Sequence, residues 1–204
     1  MRARFAIGRR YFRVFRFLES FNSAWTLYHR AAGAEGMDLE KWLDVSAKSF
    51  NGMYLLLETM TFLDALGVEG LGIWGGEVGG MLVVEAQRFW LFALVCGVGA
   101  GGVRLWNGSR GRDGKKKGER EKKGQGGDGQ REKWLKEEVK REEQSRRVLR
   151  RLVADVMDIG LPGAVVGWVP VSPGTVGLLM LGSTWLTGLE VWERCGRELD
   201  ATKA

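Results

Sequence analysis

From 159 to 189 the chain carries no ionisable side chain, while from 107 to 130 it carries almost no apolar one. Charge is mixed along each element of an ordinary soluble surface, so segregation on this scale restricts the architectures open to the chain. Pro162, Pro170 and Pro173 break the first half of the uncharged run. The second half, 171–189, is a candidate C-terminal membrane helix of 19 residues, close to the roughly 20 that a crossing requires. A buried core helix is the alternative for a run of that length. The 107–130 segment cannot offset its ordering entropy and is expected to be a disordered Gly, Lys and Glu-rich linker. A second uncharged run, 89–103, lies between Arg88 and Arg104. Its helix would rise only about 22 Å against a hydrocarbon core of about 30 Å, and snorkelling of the two arginines would supply the missing reach. Three regions result: a helical region 1–106, the linker 107–130, and a helical region 131–204 with the membrane segment.

The 204 residues include 31 Lys and Arg against 25 Asp and Glu, a net charge of +6 that is concentrated between 104 and 151. Trp90 and Trp106 bracket one apolar run and Trp168 and Trp192 the other, as aromatic belts at two interfaces require, although Trp185 falls inside. Gly97 and Gly101 in the first run, and Gly177, Gly182 and Gly188 in the second, are positions at which another helix can approach closely. A homo-oligomer is expected.

Near the N-terminus, 9–25 reads as an amphipathic helix. Arg9, Arg13 and Arg16 share one side, with Ser20 among them, and Tyr11, Val14, Phe15, Leu18, Phe21 and Trp25 form a wide arc on the other. Covering a soluble core is the commonest use of such a helix. Here the polar side is almost purely basic, with Glu19 the one acid in the first thirty residues, and that suits contact with anionic phospholipids. A second helical region is expected over 37–66, joined to the first through 22–34, with Gly33 and Gly36 as stops. Then 67–80 is glycine-rich, and beyond the linker a helix resumes at 131.

Other chemistry finds little support. Cys96 and Cys195 lack metal-ligand spacing, and His29, the single histidine, has no triad partner. Gly97, Gly99 and Gly102 satisfy G-x-G-x-x-G, but without a strand before them or a helix start after them. Glu58 and Asp64, six residues apart, fall on different sides of a helix. Lys115-Lys116-Lys117 and Lys122-Lys123 are interleaved with acids and lack aromatic platforms, so nucleic acid is not an expected partner. Neither enzymatic activity, cofactor nor metal is expected. A cleaved secretory signal is not indicated at the start, nor a Ser-Lys-Leu type of address at the end.

Several blocks carry a resemblance: Arg10-Tyr11-Phe12-Arg13-Val14-Phe15-Arg16-Phe17-Leu18-Glu19-Ser20-Phe21, then Ser46-Ala47-Lys48-Ser49-Phe50-Asn51-Gly52-Met53-Tyr54-Leu55-Leu56-Leu57-Glu58-Thr59. The C-terminal blocks are Leu161-Pro162-Gly163, Gly167-Trp168-Val169-Pro170, Ser172-Pro173-Gly174-Thr175-Val176-Gly177 and Thr187-Gly188-Leu189-Glu190-Val191-Trp192-Glu193-Arg194-Cys195. Together they resemble the peroxisomal biogenesis factor 11 (peroxin-11) family, especially its fungal-type branch. That resemblance implies a peroxisomal membrane protein that elongates the membrane through the amphipathic helix before fission machinery, such as a dynamin-related GTPase and its membrane adaptor, divides the organelle. Members of the family carry further helical sequence ahead of this block, so a shortened N-terminus is expected here. The fold expected is all-α and membrane-associated, and the function membrane remodelling in peroxisome division and proliferation. The alternatives are a peroxisomal channel for small metabolites, built from the glycine-rich helices, and a soluble basic adaptor.

Overall fold

The structure, a computed structural model, describes residues 15–34, 36–66, 72–122 and 128–203, without the side chains of 34, 63, 65, 109–138, 141, 197 and 200–203. Every regular element among them is a helix: α1 (Arg16–Ala34), α2 (Leu39–Met60), the single turn α3 (Phe62–Ala65), α4 (Gly75–Lys122), α5 (Asp128–Asp158), α6 (Gly160–Val166) and α7 (Pro173–Lys203). The linker expected at 107–130 coincides with the end of α4 and the start of α5; its centre, 123–127, lies outside the described residues, as do most of its side chains.

Contacts between facing residues fix the direction of each helix. Tyr54 stacks on Trp90 at 5.4 Å between ring centroids, and Phe50 lies 5.7 Å from Phe92. Farther along, Gly99 faces Leu43, and Arg104 reaches both Glu40 and Asp44. Residue numbers fall along α2 as they rise along α4, so the two form an antiparallel hairpin. Asp64 closes its turn by accepting the backbone N–H groups of Ile73 and Trp74 at 2.8 and 3.1 Å, and the Trp74 indole donates to the Met60 carbonyl.

α1 is antiparallel to α2: Phe17 packs against Tyr54, Leu55 and Ala86, and the Phe21 ring lies over Gly52. α5 returns along α4, with Leu152 on Gly101 and Asp155 near Gly97. α7 returns along α5, with Leu179 over Gly160, Met157 over Gly182, and Glu193 accepting from Arg150 at 2.6 Å. Thus α1, α4 and α7 point one way, and α2 and α5 the other.

One expectation is corrected. The stretch 22–34, expected to join two helices, continues α1 without a break to Ala34, because Ala24 and Ala31 keep it packed on α2. The turn comes afterwards, where Gly36 takes φ +91°, a conformation that costs little only without a Cβ. The glycine-rich stretch 67–80, to which the sequence assigns no element, is helical from Gly75 onward. Glycine costs a helix about 1 kcal/mol relative to alanine, and here Gly76, Gly79 and Gly80 are carried as the first turns of a 48-residue helix. The G-x-G-x-x-G triplet lies in mid-helix, far from any strand-to-helix turn.

Candidate membrane-contacting surface

Apart from Tyr54, Leu55 and Leu91 with the rings packed around them, many inward side chains are small, and many large ones face outward. Among the described residues, six of the ten buried hydrophobic ones are alanine, and Pro162 is the largest fully buried side chain. Phe92, Val95 and Trp106 on α4, and Leu178, Leu181, Trp185 and Trp192 on α7, are exposed. Scattered surface leucines need no explanation, but extended exposed apolar faces mark an interaction surface. Without a hydrophobic drive between helices, small residues at the contacts and large ones outside are what a lipid environment selects.

One stretch among the described helices is long and apolar enough to cross a bilayer, Gly75–Gly108, and 11% of its apolar window is buried within the protein. A soluble core helix of that composition would be mostly buried. The run read from sequence as too short, 89–103, gains length because Glu85 and Arg88 pair at 2.5 Å, as Arg104 does with Glu40 and Asp44. Helix α7, which begins at Pro173 and contains most of the 171–189 run, is more diluted by glycine and by Ser183, Thr184 and Thr187. Thr184 and Thr187 donate within the helix to the carbonyls of Met180 and Ser183, whereas the Ser183 hydroxyl donates to the Asp158 carboxylate on α5.

The tryptophans fall at two levels. Trp168 meets the edge of Phe92 at 6.0 Å, close to Trp90. Trp192 lies beside Glu193, which is tied through Arg150 on α5 to the neighbourhood of Arg104 and Trp106. The levels are some sixteen residues apart, about 24 Å of helix. Trp185 sits between them, 69% exposed.

On α1 the same inversion occurs. Ser20, Ala24 and Ala31 are buried against α2, whereas Phe15, Leu18 and Trp25 are 74%, 57% and 63% exposed. The Ser20 hydroxyl donates to the Lys48 carbonyl and accepts from the Asn51 amide, both at 3.0 Å. The side expected to be cationic, with Ser20 among its arginines, is therefore at Ser20 the side that docks. Arg16 is exposed, 4.0 Å from Glu19. Phe21, grouped from sequence with the outward arc, is half-buried over Gly52, where an added Cβ would stand 2.7 Å from its ring. Arg9, Tyr11, Arg13 and Val14 lie outside the described residues. His29 is exposed and meets Trp25 edge-on at 4.3 Å.

The glycines named from sequence divide. At Gly101 an added Cβ would stand 3.1 Å from Leu152, at Gly182 3.1 Å from Met157, and at Gly97 3.8 Å from Asp155. Gly177 and Gly188 have open space instead, Gly188 within the apolar groove lined by Leu181, Trp185 and Trp192. Four others, Gly52, Gly99, Gly160 and Gly163, each admit a neighbouring side chain. Gly52 lies among Phe50, Tyr54 and Leu55, a notch in an otherwise bulky stretch.

Two charged groups on α5 show what surrounds this surface. Burial pushes the Asp155 carboxyl above its ordinary value, Arg151 opposes that shift and Asp158 adds to it. The hydrogen bond to Glu193 holds the Arg150 guanidinium above its usual range. Among the described residues no group of His, Cys, Asp and Glu could hold a metal, and Cys96 and Cys195 are free thiols.

No curated protein and no solved structure matches the chain at a significant level. The sequence profile of Peroxisomal biogenesis factor 11 (PEX11) does, over residues 1–192, a range that takes in the amphipathic helix, the candidate span and the apolar part of α7. The match is to the family as a whole rather than to one branch. The chain thus belongs to the peroxisomal biogenesis factor 11 family, whose members act in peroxisome biogenesis and proliferation.

Proposed function

We propose that this chain remodels the peroxisomal membrane, with α1 entering one leaflet as a wedge while α4 and the apolar half of α7 anchor the molecule. The observation that carries this reading is the outward set Phe15, Leu18 and Trp25 on a helix whose small residues face protein. Burying three such side chains is worth roughly 5 to 9 kcal/mol at 1.5 to 3 each, whereas each cation near an anionic surface adds about 1 kcal/mol. Burial holds the helix in place, and charge selects the surface. Anionic phospholipids are the direct partners. Self-association concentrates the wedges, and fission machinery, such as a dynamin-related GTPase with its membrane adaptor, acts on the elongated membrane.

The test uses the full chain reconstituted with vesicles containing anionic phospholipid, imaged for tubules and assayed for release of a trapped small solute. The remodelling reading expects tubules without release. Replacing both Phe15 and Leu18 with Glu should abolish tubulation, and replacing Arg13 and Arg16 with Ala should only weaken it. Solute release without tubules would favour the channel instead. Undiminished tubulation by the Glu variant would reject the wedge.

A further inference from the structure

As docked, α1 has an orientation that a wedge in the membrane plane cannot have. It is antiparallel to α2, which is antiparallel to α4, so α1 lies alongside the candidate crossing helix. A helix lying in the interface stands roughly perpendicular to one that crosses. Docking also divides the aromatic side of α1. Phe15, Leu18 and Trp25 face outward, while Phe17 joins the cluster around Tyr54 and Leu55 and Phe21 occupies the notch at Gly52. At 100° per residue these five lie within one arc of about 160°. A flat lipid boundary can accept all five together only after α2 has released two of them.

We propose that the α1–α2 contact is an autoinhibitory latch, which stores the helix against the bundle and releases it about Gly36 when the membrane is engaged. This rests on the reading of α1 as a wedge. The latch has few polar parts, the Ser20 hydroxyl bonded to the Lys48 carbonyl and the Asn51 amide. Its buried apolar part includes Ala24 and Ala31, with the Phe17 and Phe21 rings also packed against α2. Its hinge is suited to turning: Gly36 takes φ +91°, and the Lys41 ammonium donates to the Gly36 carbonyl at 3.3 Å. Gly36 lies at the same end of the bundle as Glu40, Asp44 and Arg104. A helix swinging about that point lies flat in the leaflet on the Arg104 side, with its N-terminal end carried away from the bundle.

The test places cysteines at Ser20 and Asn51 in a chain whose own Cys96 and Cys195 are replaced by Ser. A short, reducible bis-methanethiosulfonate linker joins them, and the full chain is reconstituted with phosphatidylcholine and phosphatidylserine vesicles. The bridged protein should remain vesicle-bound through α4 and form no tubules, and reduction should restore them. In an unbridged chain Gly52→Leu, whose side chain takes the space of the Phe21 ring, should lower the protein-to-lipid ratio at which tubules appear. Equal tubulation by bridged and reduced protein overturns the latch and leaves the wedge standing. An absence of tubules even after reduction, with the protein still bound, overturns the wedge and the latch with it.

Discussion

Asp155 illustrates how a single side chain reports on the packing of this bundle. Its carboxyl is raised mainly by burial where α5 meets Gly97, with Asp158 adding to the effect and Arg151 opposing it. A carboxyl raised in the folded state binds its proton more tightly there than in the unfolded chain, so stability falls as pH rises from about 4 through the raised value. Asp155→Asn should therefore increase the thermal midpoint in detergent micelles at pH 7 and leave it nearly unchanged at pH 4, as followed by circular dichroism. At this scale the sequence revealed which side chains share a face of α1, since periodicity depends only on position along the helix. It did not reveal which face docks. Ser20 was grouped with the cations, yet its hydroxyl has two backbone and side-chain partners on α2 that no local pattern encodes. The burial of Phe21 follows from the missing side chain at Gly52, thirty-one positions away.

Between elements, a few polar ties supplement contacts made by small residues and by stacked rings such as Tyr54 on Trp90. Arg104 joins α4 to two carboxylates on α2, Glu40 at 2.9 Å and Asp44. Partly exposed pairs contribute up to about 1 kcal/mol each, but removing the shared cation also leaves two acids facing each other. Arg104→Ala should thus destabilise the hairpin by about 1 kcal/mol, measured by denaturant titration in micelles, and adding Glu40→Gln should recover part of the loss. An Arg104→Ala variant as stable as the parent would show that helix packing alone sets the register. The helices themselves were largely legible: apolar periodicity indicated 37–66 and the structure has α2 at Leu39–Met60. Boundaries governed by glycine were not. Gly33 lies inside α1 whereas Gly36 ends the connection, and only the positive φ of Gly36 distinguishes them.

For the whole molecule, the directions of the helices set where the ends emerge. α4 and α7 run the same way, and α5 returns between them, so the C-terminus of α4, the N-terminus of α5 and the C-terminus of α7 lie at the Arg104 end. The lysines and arginines between 104 and 151 accompany them, while 60–84 and 159–173 contain none. Positive charge on flanking segments favours the cytosolic side. Tags placed within 107–130 and after Lys203 should consequently be cleaved together when protease is added to intact peroxisomes. Protection of one while the other is cut would contradict the placement of both segments at the Arg104 end of the bundle.

Membrane remodelling by this chain requires that the outward apolar faces of α1, α4 and α7 meet lipid. Spin labels attached at Leu18, Val95 and Leu181, one per cysteine-free chain, can be tested by power saturation in vesicles with oxygen and with a water-soluble nickel chelate as competing relaxants. Oxygen, which concentrates in the bilayer, should relax all three labels more strongly than nickel. Stronger relaxation by nickel at all three would contradict lipid contact.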